Sequence, residues 1–188
     1  STPLYSSAAS DVYKRQNPGF ESVTGSLPDD WDTFWATGTT EVETEESVVY
    51  SGERSVRVST SGGGEQIVMS NVFDVPSRGS VDFTTFVKKS EGDPSIRLGL
   101  LTGASGDPAF LDPDYWNNEP IAEAVSSEWA MHQRRAEVPA GHTRARLFFR
   151  IAPSASESVT VYLDLTTSVV VMPAVADSGW VPLTYASG

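Results

Sequence analysis

The chain has no cysteine. Disulfides, thiolate metal sites and a cysteine nucleophile are therefore excluded, while the redox compartment stays open. Lysine is nearly missing too, occurring only at Lys14, Lys88 and Lys89. The formal net charge is -12 and the pI about 4.4. Such a surface repels a phosphate backbone, so nucleic acid and anionic membranes are poor partners. Long apolar runs are absent: the stretch from Val169 to Ala176 is short, interrupted by Pro173, and well under membrane-spanning length. Histidine occurs twice, at His132 and His142, in neither an H-E-x-x-H nor another metal-ligand spacing. No G-x-S-x-G elbow is present. Asp29 and Asp30 are adjacent, and neighbouring carboxylates cannot flank a glycosidic bond at the separation hydrolysis needs. These absences argue against an enzyme.

What is there suits one globular domain. A chain of 188 residues with 39% hydrophobic residues can bury a genuine core and has little left over. Short alternating runs separated by Gly, Pro, Ser and Asp clusters predict an all-β sandwich or barrel. Val56 and Val58 face one way, and Val81, Phe83 and Val87 share a side. Ile96, Leu98 and Leu100 oppose Arg97, and Leu147, Phe149 and Ile151 oppose Arg146, Phe148 and Arg150. Val159, Val161, Leu163 and Leu165 alternate with Thr160, Tyr162 and Asp164. The predicted core therefore includes Ile96, Leu98, Leu100, Leu147, Phe149, Val161 and Leu163. Gly62-Gly63-Gly64 reads as a loop between strands, and the stretch around Trp35 is loop-like as well. Ile121 to Met131 offers at most a turn or two of helix.

The two ends differ from the middle. The stretch Ser7–Gln16 resembles a translated sequencing adapter found at the ends of metagenomic reading frames. Residues 1–16 are thus expected to be a non-native leader or disordered tail, and the chain a fragment. Residues 17–171 carry the strand pattern. Residues 172–188 read as a linker or the start of a further module, where Trp180 and Tyr185 call for a covering neighbour.

Several motifs then fall in a familiar order. Asn17-Pro18-Gly19-Phe20-Glu21, followed by Trp31, resembles the opening N-x-G-F-E strand of carbohydrate-binding modules of the 4/9 type. Tyr50 to Val58 is similar to their S-G-x-x-S-L-x-V strand, and Trp129 with Val138-Pro139-Ala140-Gly141 to their W-x(n)-V-P-A-G segment. Val161-Tyr162-Leu163-Asp164-Leu165 looks like the closing V-Y-x-D-x-V strand, with Leu165 where the family pairs a second aspartate. The resemblance implies an antiparallel two-sheet jelly roll with a galactose-binding-domain-like fold. It further implies a structural calcium between the first and last strands. Glu21 and Asp164 occupy the matching positions, and carbonyls near Ser51 and Gly52 would complete the oxygen shell. The alternative is that both are ordinary exposed acids. Trp31 and Trp129 match positions expected to be buried.

The resemblance also implies a sugar cleft on one sheet face. On the non-core parity lie Arg97, Arg144, Arg146, Phe148, Arg150 and Phe86. Arginine forks give directed hydrogen bonds to hydroxyls or uronates, and aromatic faces stack on sugar rings. Surface ion pairs with the abundant acids are the competing reading of these arginines. Tyr115 and Trp116 follow Gly106-Asp107-Pro108 in a long connection, where binding loops sit. The Asp112–Glu119 stretch around them reads as a solvated loop. Arg97, Tyr115, Trp116, Arg146, Phe148 and Trp35 are the expected ligand contacts, and no residue is expected to be catalytic. The expected function is a polysaccharide- or oligosaccharide-binding module of a larger secreted enzyme, covalently linked to neighbouring domains. The alternative is a structural or adhesive module of a phage tail or cell-surface protein, with the virion surface as its location. A small jelly-roll lyase is a third reading, disfavoured by the missing acid-base set.

Overall fold

A computed structural model describes residues 19–104, 116–120, 126–153 and 157–172, with backbone alone at 116–120. The expected leader and nearly all of the expected C-terminal linker lie outside the described residues, as do Tyr115, Trp180 and Tyr185. Among the described residues there are nine strands: β1 (Trp31–Glu45), β2 (Ser55–Ser70), β3 (Phe73–Asp74), β4 (Ser80–Glu91), β5 (Pro94–Gly103), β6 (Trp116–Pro120), β7 (Ala130–Glu137), β8 (Arg144–Pro153) and β9 (Val159–Val171). No helix occurs among the described residues.

Every strand pairing is antiparallel. The strand order is β6-β5-β8-β2-β9-β4-β7, with β1 along β2 and β3 against β8. β2 belongs to both layers of the jelly-roll sandwich. Its Gln66–Met69 end pairs with β8 and its Val56–Thr60 end with β9. The first layer is thus β6-β5-β8 with the distal half of β2, and the second is β7-β4-β9 with its proximal half. β1 follows β2 across both.

The turn from one layer to the other happens at glycines. Gly38, Gly62 and Gly63 have φ of 66°, 64° and 78°. A Cβ on Gly64 would stand 2.6 Å from the Thr37 carbonyl oxygen, so two backbones cross where only glycine fits. The glycine triplet is therefore a corner inside a continuous strand rather than the expected loop between strands. The stretch around Trp35 is likewise strand β1 rather than loop, and 116–119 is strand β6.

The alternation is realised in the packing. Ile96, Leu98, Leu100, Leu147, Phe149, Val161 and Leu163 are all buried, in one cluster with Val56, Val58, Val81, Phe83 and Val87. Trp31 joins it, with ring centroids 5.2 Å from Phe20 and 5.7 Å from Phe149. Trp129 is only half-buried, against expectation. Leu165 departs from the alternation: its φ is 44°, and Leu165 and Thr166 together lie opposite Thr85 in a bulge. That bulge switches the core-facing set from Leu163 to Thr166, Ser168 and Val170, which are buried. Glu21 lies in irregular chain, not in an opening strand.

Candidate functional site

Direct cross-strand neighbours share a face, so register alone assembles the outer face of the first layer. Trp35 of β1 is opposite Ile67 of β2, Ile67 opposite Arg150 of β8, Arg150 opposite Arg97 of β5, and Arg97 opposite Pro120 of β6. At about 4.8 Å per step, this row is roughly 19 Å long. The next row on the same face runs Met69, Phe148, Gly99, Asn118, and the one beyond it Arg146, Leu101, Trp116. Five of the six expected ligand residues, Trp35, Arg97, Arg146, Phe148 and Trp116, thus hold positions on one face of one layer. Trp116 is placed by backbone register alone, and Tyr115 lies outside the described residues. Phe86 does not belong here: it is on β4, in the other layer.

The face is not uniformly open. Phe148 is fully buried, in a second apolar cluster with Ile67, Met69 and Leu101. Its expected role as a ligand contact is therefore corrected: its parity is as predicted, but it is packed among Ile67, Met69 and Leu101, and all four side chains are buried. Arg97, Arg146 and Arg150 flank that cluster and are half-buried. Arg97 and Arg150 line a recess of about 380 Å3 with Ser95, Ala152 and Pro153. Trp35 is 44% exposed and lines a groove of about 450 Å3 with Leu27, Phe34, Ala36 and Val42.

The competing ion-pair reading holds for part of the arginine set. Arg144 Nη1 donates to Asp74 Oδ1 at 2.7 Å. Arg150 makes a two-pronged pair with Glu65, Nη2 donating to Oε2 at 2.8 Å and Nε to Oε1. The hydrogen bonds to Glu65 push the Arg150 guanidinium above its ordinary value. Glu65 was invisible to motif reading. The available signal was a charged residue just past the glycine corner, on the parity of Ile67.

Glu21 and Asp164 do come together, though not as paired strands. Asp164 is fully buried. Its Oδ2 accepts from the backbone N–H of Tyr50 at 2.7 Å and of Ser51 at 3.1 Å, and its Oδ1 from Leu165 N–H at 2.5 Å. Glu21 accepts from Glu53 N–H at 3.1 Å. Gly52, at φ 80°, leaves room for the Glu21 carboxylate, which a Cβ there would strike at 1.7 Å. Burial pushes the Asp164 carboxyl above the usual carboxylate range. The three N–H groups pull it back, and the Glu21 charge adds to the push. Two carboxylates in one place suit a divalent cation in charge, but Arg54 Nη1 donates to the Glu21 carbonyl oxygen at 2.6 Å, and no group of three or more His, Asp or Glu that could hold a metal ion occurs among the described residues. The Tyr50 and Ser51 N–H groups of the loop donate to Asp164 Oδ2.

Neither histidine joins the outer face of the first layer. His142 is buried and shares a hydrogen bond with Thr102 Oγ1 through Nδ1 at 2.8 Å. His132, on β7, is held below its usual value by burial.

No family model matches this chain, and no curated protein matches it. Solved structures do. The module TmCBM61, determined with β-1,4-galactotriose, superposes with a TM-score of 0.57 at 14% identity, over 82% of this chain and 95% of that one. The CBM22-1 xylan-binding domain of Paenibacillus barcinonensis Xyn10C gives 0.52 at 16% identity, over 83% and 93%. Tailspike protein 4 of bacteriophage CBA120, in its enzymatically active domain, gives 0.55 at 16% identity, over 76% of this chain and 20% of that one. At these identities the likeness establishes the fold, a β-sandwich of the kind carbohydrate-binding modules use.

Proposed function

We propose that this chain is a non-catalytic carbohydrate-binding module that takes a polysaccharide or oligosaccharide on the outer face of its first layer. The observation that carries this reading is the register, which collects Trp35, Arg97, Arg146 and the backbone of Trp116 on one face of one layer. Arg97 supplies a planar donor in the recess that it lines with the Glu65-paired Arg150, and Trp35 supplies an exposed aromatic surface at the end of their row. Likeness to modules solved with galactotriose or described as xylan-binding supports the ligand class. Its role is to keep a covalently linked, secreted catalytic domain near its substrate by raising effective concentration.

Affinity electrophoresis against a panel of soluble polysaccharides tests the site. The wild type is expected to be retarded by at least one of them. Arg97→Ala, Trp35→Ala and Trp116→Ala are each expected to weaken that binding by about 1 kcal/mol or more, the scale of a truncated aromatic or arginine anchor. Retardation that survives all three substitutions rejects the face.

A second reading is a structural module of a phage tail, favoured by the likeness to the bacteriophage tailspike. It gains if no polysaccharide retards the protein. In either reading we propose a structural calcium between Glu21 and Asp164. It would relieve the repulsion of two adjacent carboxylates and fasten the loop at Ser51 to β9.

A further inference from the structure

The second layer carries an aromatic surface that the cleft does not use. Tyr50 sits in the connection from β1 to β2, and this connection is pinned to the outer face of β9. The pins are the Tyr50 and Ser51 N–H groups, both donating to Asp164 Oδ2. The pinned Tyr50 ring lies flat on Phe86, with centroids 3.7 Å apart and planes 15° from parallel. Trp129, just before β7, meets Tyr50 edge-on at 5.9 Å and 62°. Met131, directly across from Phe86 on β7, is 55% exposed. Phe86 covers one face of the Tyr50 ring, and Tyr50 as a residue still keeps 44% exposure.

We propose that Tyr50, backed by Phe86 and walled by Trp129, is a second glycan-binding site that stacks one pyranose unit of a neutral sugar chain. Three features choose this occupant. The ring is held nearly parallel to a second ring, so it offers a flat, pre-oriented plane at little entropic cost, as a planar sugar face requires. Hydrogen-bonding groups stand around the apolar plane: Lys88 follows Phe86 on the same face, and Gln133 follows Met131. Charge selects a neutral ligand, because Asp164 and Glu21 lie beneath this loop and the molecule carries a net charge of -12. A uronate or sulfated sugar would meet that field.

This site rests on the reading of the chain as a glycan binder, yet it can fail separately from the first-layer cleft. Isothermal titration with neutral xylo-, cello- and β-1,4-galacto-oligosaccharides measures the stoichiometry. The wild type is expected to take two equivalents of the ligand that binds. Tyr50→Ala is expected to lose one, or to weaken it about fivefold or more. Arg97→Ala is expected to affect only the other. Tyr50→Phe keeps the ring and is expected to bind as wild type, which separates stacking from loss of fold. One equivalent that disappears in Arg97→Ala and is untouched by Tyr50→Ala overturns the second site and leaves the cleft standing. One equivalent lost only in Tyr50→Ala keeps the second site and overturns the cleft. No heat with any of the three series overturns the second site as proposed.

Discussion

Asp164 of β9 fastens the connection between β1 and β2 through the Tyr50 and Ser51 N–H groups. Its carboxylate is buried and satisfied by three backbone N–H groups. Asp164→Ala leaves those donors without an acceptor and is expected to cost roughly 1–3 kcal/mol, read from the midpoint of urea unfolding. The pH dependence separates a metal-bound site from a bare one. Without metal, burial pushes the folded carboxyl above the ordinary aspartate range. The folded state then holds the proton longer than the unfolded state. This group's contribution is fully present below the unfolded value and is lost as pH rises through the folded one. Calcium inverts the sign, because it binds only the deprotonated carboxylate and stabilises the folded state by mass action. In chelator, wild type minus Asp164→Asn should therefore lose stability as pH rises through the acidic range. In excess calcium, the same difference should gain it. Chelator should also lower the melting temperature of the wild type and leave Asp164→Ala unchanged. Identical curves with and without chelator would remove the calcium.

At the scale of elements, the strand alternation was legible because one face of each strand is a closed core. Ile96, Leu98 and Leu100, or Leu147 and Phe149, have only one buried parity available, and they take it. Legibility stopped where two elements must fit each other. Gly62-Gly63-Gly64 reads as a turn in one dimension, since glycine is what turns use. The reason for it here is Thr37 on the neighbouring strand, whose carbonyl oxygen leaves no room for a Cβ on Gly64. Phe148 shows the same limit from the other side. Its parity was correct, but burial depends on Ile67, Met69 and Leu101 from two other strands. The site was legible to the extent that parity and pairing order coincide. Arg97 and Arg146 could be put on outer faces from sequence, whereas Phe86 could not be assigned to the other layer without the pairing of β4 with β7 and β9. The corner makes its own prediction. Gly64→Ala drives a methyl into the Thr37 and Ser61 carbonyls and should cost about 1–3 kcal/mol, as overpacking does. Gly62→Ala meets nothing within 4 Å and carries only the left-handed φ penalty, about 1–2 kcal/mol. Urea midpoints of the two variants at equal m-value should fall in that order, and the reverse order would deny that the corner is a close crossing.

The whole molecule is tied together by one hairpin. β2 is hydrogen-bonded to β8 in one layer and to β9 in the other, and β1 accompanies it across both. Neither layer can leave without tearing β2 out of the remaining one, and the core cluster draws side chains from both. The fold is therefore expected to unfold as a single cooperative unit, although its two outer faces are proposed to do separate work. Two probes sit in different places. Trp31 is buried between Phe20 and Phe149, while Trp129 lies beside Tyr50 on the far layer. Trp31→Phe and Trp129→Phe variants, each followed by fluorescence and by far-ultraviolet circular dichroism in urea, should give coincident transitions within each variant. A separate early transition seen only while Trp129 is present would mean that the Tyr50 connection detaches before the sandwich opens. Calcium should then shift that early step alone, since its proposed ligands Glu21 and Asp164 hold that connection from either side.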